Sequence, residues 1–134
     1  MAADLVLFAS PVYRGSFTGA LKNLLDLVPV EGLAGKACGI VMMGGSDHHY
    51  LAADTHLRPV LAWFGAHVAP VSVYLTSRHF GSDGALASPE AQAEIKELVG
   101  SVVALGRAPV AKLPGPRPLA ARAVPRPASP GSHS

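Results

Sequence analysis

Two polar segments contain the side chains and glycines that could take part in binding or chemistry. The segment Ser10–Ser16 combines a proline-stiffened turn, an aromatic ring, one cation and small residues. The segment Gly44–His49 begins with two glycines, which let a ligand approach the main chain closely, and continues with polar residues. Together they suit a flat polar heterocycle that needs backbone hydrogen bonds along its edge. Taken singly, each segment also fits an ordinary turn between a strand and a helix.

Several common site signatures are missing from the sequence. It has no phosphate-binding loop of the G-x-x-x-x-G-K-[ST] type and no G-x-G-x-x-G dinucleotide fingerprint. The glycine-containing segments 15–19 and 44–48 both miss the G-x-S-x-G spacing of a hydrolase nucleophile. These patterns argue against a nucleotide-binding P-loop protein, a Rossmann dehydrogenase and a hydrolase.

A cluster of histidines and aspartates invites comparison with metal sites. Asp47, His48 and His49 are followed by Asp54 and His56. A closed metal site needs three or four converging ligands with supporting groups around them. Neighbouring His48 and His49 point in different directions, and the sequence has no His-x-x-x-His pair. We therefore predict that these are polar loop residues and that there is no metal site.

The elements that must position the two segments are three units of a strand followed by a helix. The strand segments are Leu5–Ala9, Ala37–Met43 and His67–Leu75. The first is apolar without alternation, which is typical of a parallel strand covered on both faces. Pro70 predicts an edge or a bulge in the third. The alternation of strands and helices with short connections predicts an α/β protein with a parallel sheet.

Apolar residues at helical spacing predict a helix after each strand. The three stripes are Leu21, Leu24, Leu25 and Val28; Leu57, Val60, Leu61 and Phe64; and Ile95, Leu98, Val99 and Val102. The first helix has Ser16 or Thr18 as its candidate N-cap and Pro29 as its stop. In the second, Pro59 predicts a kink or an irregular turn near Thr55.

The end of the folded part is marked by the third helix and then by a change of composition. This helix opens with the S-P-E tripeptide at 88–90, an N-cap followed by a first-turn proline and acid, and ends at Gly106. Residues 107–134 contain seven prolines and no periodic apolar pattern, so we predict that they are disordered. The predicted organisation is one domain over residues 1–106 and a Pro/Arg-rich tail over residues 107–134.

Charge and composition narrow the class of protein. Residues 1–106 have six basic and nine acidic side chains, whereas residues 107–134 have five cations and no acid. The mildly acidic body gives no support for nucleic-acid binding. The N-terminus lacks the positive region of a signal peptide and the apolar runs are too short to span a membrane, so we expect a cytoplasmic location. The single cysteine, Cys38, lies in an apolar run and is predicted to be a buried, inert thiol.

At this point the sequence resembles a known family. The segment 10–26 contains the pattern P-V-Y-x-x-x-x-[ST]-G-x-L-K-x-x-L-D, which resembles the segment after the third strand of NAD(P)H-dependent FMN reductases. The segment 44–61, with G-G-S, then His49, then L-R-P-V-L, resembles the loop and helix that follow. The resemblance covers about residues 3–80 and is nearest to the reductases that serve sulfonate-utilising monooxygenases.

The resemblance implies a flavodoxin-like three-layer fold with FMN bound between the two segments. The ring would lie against the first segment, with backbone amides of Val12, Tyr13 and Arg14 holding it and Tyr13 packing on it. Arg14 either approaches the flavin or the phosphates of the nicotinamide dinucleotide, or is a solvated loop cation. The implied FMN-binding residues are Pro11, Val12, Tyr13, Arg14, Ser16, Gly44, Gly45 and Ser46.

The same resemblance implies an oxidoreductase that transfers a hydride from NAD(P)H to FMN. The cofactors perform this chemistry, so no catalytic side chain is named. Reduced FMN would pass to a flavin-dependent monooxygenase, and the family implies a homo-oligomer, with the second helix as a plausible contact. Neither a nucleic acid nor a membrane is expected as a partner.

One part of the family pattern has no counterpart in the sequence. The family begins with a strand, a phosphate-cradling loop resembling G-S-x-R-x-x-S, a helix and a second strand, none of which precedes Leu5. We therefore expect a partial fold whose parallel sheet lacks the first two strands and which binds FMN poorly. Two interpretations stay open. The chain is a fragment or mis-started frame of an active reductase, or it is a non-enzymatic flavodoxin-like remnant that acts as a protein-interaction module through an open sheet edge.

Overall fold

The computed structural model describes residues 3–108. The strands are β1 (Leu5–Tyr13), β2 (Ser16–Phe17), β3 (Ala37–Met43), β4 (His67–Val68) and β5 (Val73–Leu75). The α-helices are α1 (Gly19–Leu27), α2 (Arg58–Trp63) and α3 (Pro89–Arg107). Short 3-10 turns lie at Val30–Gly32, Asp47–His49 and Ser77–His79, and a π-helix lies at Ala53–Leu57. The predicted tail falls almost wholly outside the described residues.

The central sheet is parallel, as predicted. Strand β1 pairs with β3 in parallel from Leu5 opposite Ala37 to Pro11 opposite Met43. Strands β4 and β5 both pair in parallel with β3, β4 at its beginning and β5 at its end. The three predicted strand segments are therefore neighbours in chain order, and the carboxyl ends of β1, β3 and β5 meet at one edge of the sheet.

Strand β3 is the centre of a three-layer arrangement. Cys38, Ile40 and Met42 pack into one apolar cluster, which includes residues of α1 and α2. Ala37 and Val41 face the other side, where the apolar cluster includes residues of α3. Because both faces of β3 are covered by helices, its sequence is apolar throughout instead of alternating with polar residues. The apolar pattern of Leu5–Ala9 predicted that β1 is also covered on both faces, but Leu5 and Leu7 are 41% and 51% exposed, so that prediction was wrong for β1.

The third predicted strand is interrupted at the position of its proline. The segment predicted as one strand over His67–Leu75 forms β4 and β5, with residues 69–72 between them in neither strand, although the Ala69 amide still donates to the Cys38 carbonyl of β3 at 2.8 Å. Pro70 has no N–H to donate to a neighbouring strand. The interruption is held by Arg58, which donates a 2.7 Å hydrogen bond to the carbonyl of Ala69 and pairs with Asp54 at 2.8 Å. The prediction of a single strand was wrong, and the predicted effect of Pro70 is confirmed.

The predicted irregularity in the second helix is a π-helix. It spans Ala53–Leu57 and passes directly into α2, in which Pro59 occupies the first turn. A proline at this point cannot donate to the carbonyl four residues earlier, that of Thr55, so a regular α-helical ladder cannot run through it. After Trp63 the helix stops at Gly65, whose φ of 74° is the left-handed conformation that glycine favours.

The predicted caps are confirmed, whereas two residues of the apolar stripes are exposed. Thr18 caps α1 by accepting from the Leu21 amide at 3.2 Å, and Ser88 caps α3 by accepting from the Ala91 amide at 3.2 Å. Leu24 was predicted to share the buried stripe of α1 but is 59% exposed. Likewise, Val99 of α3 is 39% exposed. Both helices therefore bury narrower faces than their apolar spacing indicates.

Cys38 provides a reporter of unfolding. It is fully buried on β3, and burial raises the pKa of its thiol from 9.0 to about 11, with the charge of Lys36 opposing this rise. A rise of two pKa units lowers the thiolate fraction near neutral pH about 100-fold. We expect iodoacetamide to leave native Cys38 unlabelled and to label it at the rate of an ordinary thiol in denaturant, as followed by mass spectrometry. Rapid labelling without denaturant would contradict the burial of this strand.

No helix within residues 3–108 is long and apolar enough to cross a membrane.

Candidate functional site

Three loops meet at the carboxyl edge of the sheet. Pro11, Met43 and Leu75 are aligned across β1, β3 and β5, so the pairing of β3 with both neighbours ends at the same level. A side chain added at Gly15 would lie 3.7 Å from Nδ1 of His49, which places the first two loops side by side. The structure therefore brings together the two segments predicted from the sequence. This edge is where open parallel sheets bind their ligands.

The first segment is a β-hairpin and not the loop that the sequence predicted. Strand β1 was predicted to end at Ala9 but continues to Tyr13, and β2 pairs antiparallel with it, Tyr13 opposite Ser16. Val12 and Tyr13 are good strand formers, and Pro11 is the last residue of β1 that pairs with β3. The two residues between the strands, Arg14 and Gly15, have φ values of 55° and 81°, which a type I′ turn requires.

Arg14 is held in an unfavourable backbone conformation. It is the one residue other than glycine with a positive φ in the described part of the chain. Such a conformation costs a bulky side chain of the order of 1 kcal/mol, and residues of this kind cluster at functional sites. The turn also leaves Tyr13 66% exposed beside Arg14. The tip of the hairpin thus presents an aromatic ring and a guanidinium at the carboxyl edge.

Ser10 fixes the base of the hairpin and was not among the predicted site residues. It is 5% exposed, and its hydroxyl accepts from the Thr18 amide at 3.0 Å while donating to the Pro11 carbonyl at 2.9 Å. Thr18 in turn caps α1. One buried hydroxyl therefore ties the end of β1 to the beginning of α1 across the whole hairpin. A serine inside an otherwise apolar strand was the signal for it.

The second segment contains two glycines in opposite environments. Gly44 is buried, and its amide donates to the Leu75 carbonyl at 2.9 Å. A side chain at Gly44 would overlap the hydroxyl of Tyr74 and lie 2.8 Å from its ring carbon Cζ. Gly45 is exposed, and a side chain there would meet nothing within 4 Å. The fold itself explains the glycine at 44 but gives no reason for the one at 45.

The third loop follows β5 and was missed from the sequence. Tyr74 donates a 2.7 Å hydrogen bond to the carbonyl of Ser46, and Arg78 forms a 2.7 Å ion pair with Asp47. Burial, and to a smaller extent Asp47, raises the pKa of the Tyr74 hydroxyl. Thr76 is buried, and its amide donates to Nδ1 of His79 at 2.9 Å. Because the carboxyl ends of parallel strands meet at one edge, the loop after the third strand could have been predicted as part of the site together with the other two loops.

The histidines and aspartates near the site take part in local pairs. The hydroxyl of Ser46 lies 3.1 Å from Nδ1 of His48, and Asp54 forms a 2.8 Å ion pair with Arg58. Within residues 3–108 no three His, Cys, Asp or Glu side chains are grouped so that they could hold a metal ion. The groups with which the site could contact a ligand are therefore main-chain polar groups at glycine, the exposed ring of Tyr13 and the guanidinium of Arg14, whose backbone is strained.

The predicted site residues differ in how accessible they are. Exposed are Pro11, Tyr13, Arg14 and Gly45; half-buried are Val12, Ser16 and Ser46; and buried is Gly44. The exposed group borders the carboxyl edge, where a planar ligand would meet backbone on one side and an aromatic ring on the other. The buried and half-buried residues instead support the conformation of the two loops.

The sequence and the structure are similar to known flavin reductases. The family model described as NADPH-dependent FMN reductase matches residues 1–80. The NAD(P)H-dependent FAD/FMN reductase of Geobacillus thermodenitrificans is 41% identical over 75% of this chain and 55% of its own length. The NADH-dependent FMN reductase SfnF of Pseudomonas putida is 39% identical over 81% of this chain and 58% of its own length. The chain thus spans about half the length of these curated relatives.

Two solved structures are similar in fold. An oxidoreductase from Corynebacterium diphtheriae superposes with a TM-score of 0.69 and 31% identity over 78% of this chain and 56% of its own. The apo form of NADH:FMN oxidoreductase EMOB superposes with a TM-score of 0.61 and 34% identity over 78% of this chain and 52% of its own. Both likenesses confirm the predicted flavodoxin-like α/β fold class.

Proposed function

The chain belongs to the NADPH-dependent FMN reductase family, and from this premise we propose that it binds FMN at the carboxyl edge of its sheet for reduction by NAD(P)H. The bound cofactors supply the redox chemistry, in which a hydride from the nicotinamide and a proton from solvent reduce the flavin. The chain's own task is to bind and orient them. This task needs main-chain hydrogen bonds and a flat apolar surface instead of an acid–base pair.

The observation that supports this proposal best is the open space at Gly45. Apart from atoms of Gly45 itself and its two chain neighbours, no described atom lies within 4 Å of the place where its side chain would be, and its backbone does not require glycine by a positive φ. A glycine that the fold does not need is explained if a ligand approaches the main chain there. The neighbouring Gly44 is accounted for by its contact with Tyr74, so we propose Gly45 as the glycine that the ligand approaches.

The hairpin supplies the other side of the proposed site. Pro11–Ser16 would lie against the flavin ring, with amides of Val12, Tyr13 and Arg14 near its edge and the exposed ring of Tyr13 packing on it. Gly44, Gly45 and Ser46 would meet the opposite edge. The guanidinium of Arg14 would contact phosphate, which suits its positive charge. The strained turn fixes the main chain of Arg14, and its side chain is in solvent, where it can reach such a group.

The fate of the product is a further part of the proposal. The segment 10–26 resembles the reductases that serve sulfonate-utilising monooxygenases, and SfnF carries the description NADH-dependent FMN reductase. We propose that reduced FMN leaves the site and passes to a flavin-dependent monooxygenase, and that the chain works as a homo-oligomer. We propose the domain over residues 1–106 as the unit that does so.

A titration with FMN tests the proposal. Because the phosphate-cradling segment of the family has no counterpart in the sequence, we expect weak but saturable quenching of flavin fluorescence at high FMN concentration. We also expect competition by riboflavin, because the proposed contacts are to the ring, and slow FMN-dependent oxidation of NADH or NADPH. Tyr13→Ala should weaken FMN binding about ten-fold through lost ring packing. Trp63→Ala removes another exposed aromatic ring, at the opposite edge of the sheet where α2 leads into β4, and should leave binding unchanged.

The absence of saturable FMN binding to the folded chain would contradict the proposed function. It would instead favour the alternative that the domain is an interaction module without flavin chemistry. Equal weakening by Tyr13→Ala and Trp63→Ala would contradict the proposed location of the ring.

A further inference from the structure

The segment Gly44–Asp47 is held from one side by residues of β5 and of the loop after it. Tyr74 is aligned with Met42 across the sheet and lies partly in the same apolar cluster. Its hydroxyl reaches past the end of β3 and donates a 2.7 Å hydrogen bond to the carbonyl of Ser46. A residue 28 positions away in sequence therefore fixes the main chain of the segment.

Tyr74 and Gly44 are matched in shape. The tyrosine hydroxyl occupies the space that a side chain at position 44 would need, and the Gly44 amide donates to the carbonyl of Leu75, the next residue after Tyr74. The segment is thus fastened at Gly44 by a main-chain hydrogen bond and at Ser46 by a side-chain hydrogen bond. Because burial raises the pKa of Tyr74, its hydroxyl stays protonated and remains a donor throughout the neutral range.

Arg78 provides a third contact, one residue after Ser46. Its guanidinium lies 2.7 Å from a carboxylate oxygen of Asp47, which directly follows Ser46. Both side chains are more than 60% exposed, so the pair alone contributes little to stability. The pair matters more for the position of the segment than for stability, because it holds Asp47 at the end of a segment whose Ser46 carbonyl is already bound by Tyr74.

Between these fastened residues lies Gly45, with open space where a side chain would be. The arrangement presents the main chain of one exposed glycine in a fixed orientation. We propose that Tyr74 and Arg78 are positioning residues that hold Gly44–Asp47 in the conformation that receives the edge of the flavin ring. The inference rests on the proposed function for the identity of the ligand, but the fastening itself can be measured without a ligand.

Tyr74→Phe is the decisive variant, because it removes the hydroxyl and keeps the ring. We expect hydrogen exchange of the Gly44 and Tyr50 amides, which donate to the carbonyls of Leu75 and Asp47, to speed up about five-fold without flavin. We expect FMN binding to weaken by about the same factor, the usual effect of one lost hydrogen bond. Exchange at Ile40, in the middle of β3, should not change. Arg78→Ala should have a smaller effect of about two-fold on the same amides and on binding.

Lys22→Ala is the matched control for Arg78→Ala. It removes an exposed ion pair of the same 2.7 Å length, with Asp26 on α1, and should change neither the exchange of the Gly44 and Tyr50 amides nor FMN binding. Melting temperatures of all variants are measured, and the comparisons are made where each variant is fully folded.

The possible outcomes separate the inference from the proposed function. Faster exchange together with weaker FMN binding in Tyr74→Phe supports the inference. Unchanged exchange overturns it, whether or not the wild type binds FMN. Faster exchange with unaltered FMN binding also overturns it, because the segment would then be held for some other reason. If the wild type binds no FMN, the proposed function fails, and the role of Tyr74 toward flavin fails with it even where exchange responds.

Discussion

Replacing Gly44 with alanine is expected to lower the free energy of unfolding by about 2–4 kcal/mol, whereas Gly45→Ala should change it by less than about 0.5 kcal/mol. The added methyl group at 44 would overlap the hydroxyl of Tyr74, which must then move and give up its hydrogen bond to Ser46. The same methyl group at 45 would meet no atom of the described chain within 4 Å. Urea denaturation of both variants measures the difference.

The two variants are expected to affect flavin binding for different reasons. Gly45→Ala keeps the fold and should weaken FMN binding about ten-fold, because the methyl group would stand between the main chain and the ring. Gly44→Ala displaces the whole segment and should abolish measurable binding. A Gly45→Ala protein with unchanged affinity would show that the ligand does not approach the main chain at this position.

A double-mutant cycle separates the overlap at Gly44 from other effects of the substitution. Tyr74→Ala removes the ring that occupies the space beside position 44. Gly44→Ala should therefore cost much less in the Tyr74→Ala background than in the wild type, with an interaction free energy of about 1–3 kcal/mol. Additive costs would mean that the two residues do not compete for the same space.

The second large effect is expected at Leu98. This residue is fully buried on α3, and its Cδ1 atom lies 3.2 Å from the place where a side chain at Gly39 would be. Val102, one turn later, approaches the same glycine. Leu98→Ala would remove the side chain through which α3 packs directly on the middle of β3, and we expect a loss of about 2–5 kcal/mol. A loss of this size is a large part of the stability of a domain of this length.

Val99→Ala is the matched control for this substitution. Val99 is the next residue on the same helix but is 39% exposed, so its truncation should cost about 1 kcal/mol or less. Thermal unfolding followed by circular dichroism compares the two variants. Equal, small losses would show that α3, which lies beyond the segment matched by the family model, is not an integral part of the domain.

The course of the sheet could be predicted because its central strand, β3, is buried on both faces, although Leu5 and Leu7 of β1 are not. The continuous apolar runs of β1 and β3 leave few alternatives to parallel strands between helices. The division of the third strand could be predicted only in part, because Pro70 indicates an interruption but does not show where pairing with β3 resumes. The narrow buried faces of α1 and α3 were not visible either. Leu24 and Val99 have the spacing of buried residues, and only the tertiary packing shows that they are exposed.

The site was predicted as two loops because glycines, proline and polar residues mark them in the sequence. The extension of β1 into a hairpin was missed, since Pro11 and Gly15 suggest a loop until Val12 and Tyr13 are seen to pair with β2. Tyr74 was missed for a different reason. Its contact with Ser46 joins residues far apart in sequence, and no local pattern distinguishes it from an ordinary strand residue.

The hairpin formed by β1 and β2 has a consequence for the kinetics of ligand binding. Strand pairing, a tight turn and the buried hydroxyl of Ser10 order this part of the site before any ligand arrives. No loop then has to lose conformational entropy during association. Entry of a flavin at this edge would accordingly occur in a single fast phase, and differences in affinity among hairpin variants would reside in how long the flavin stays.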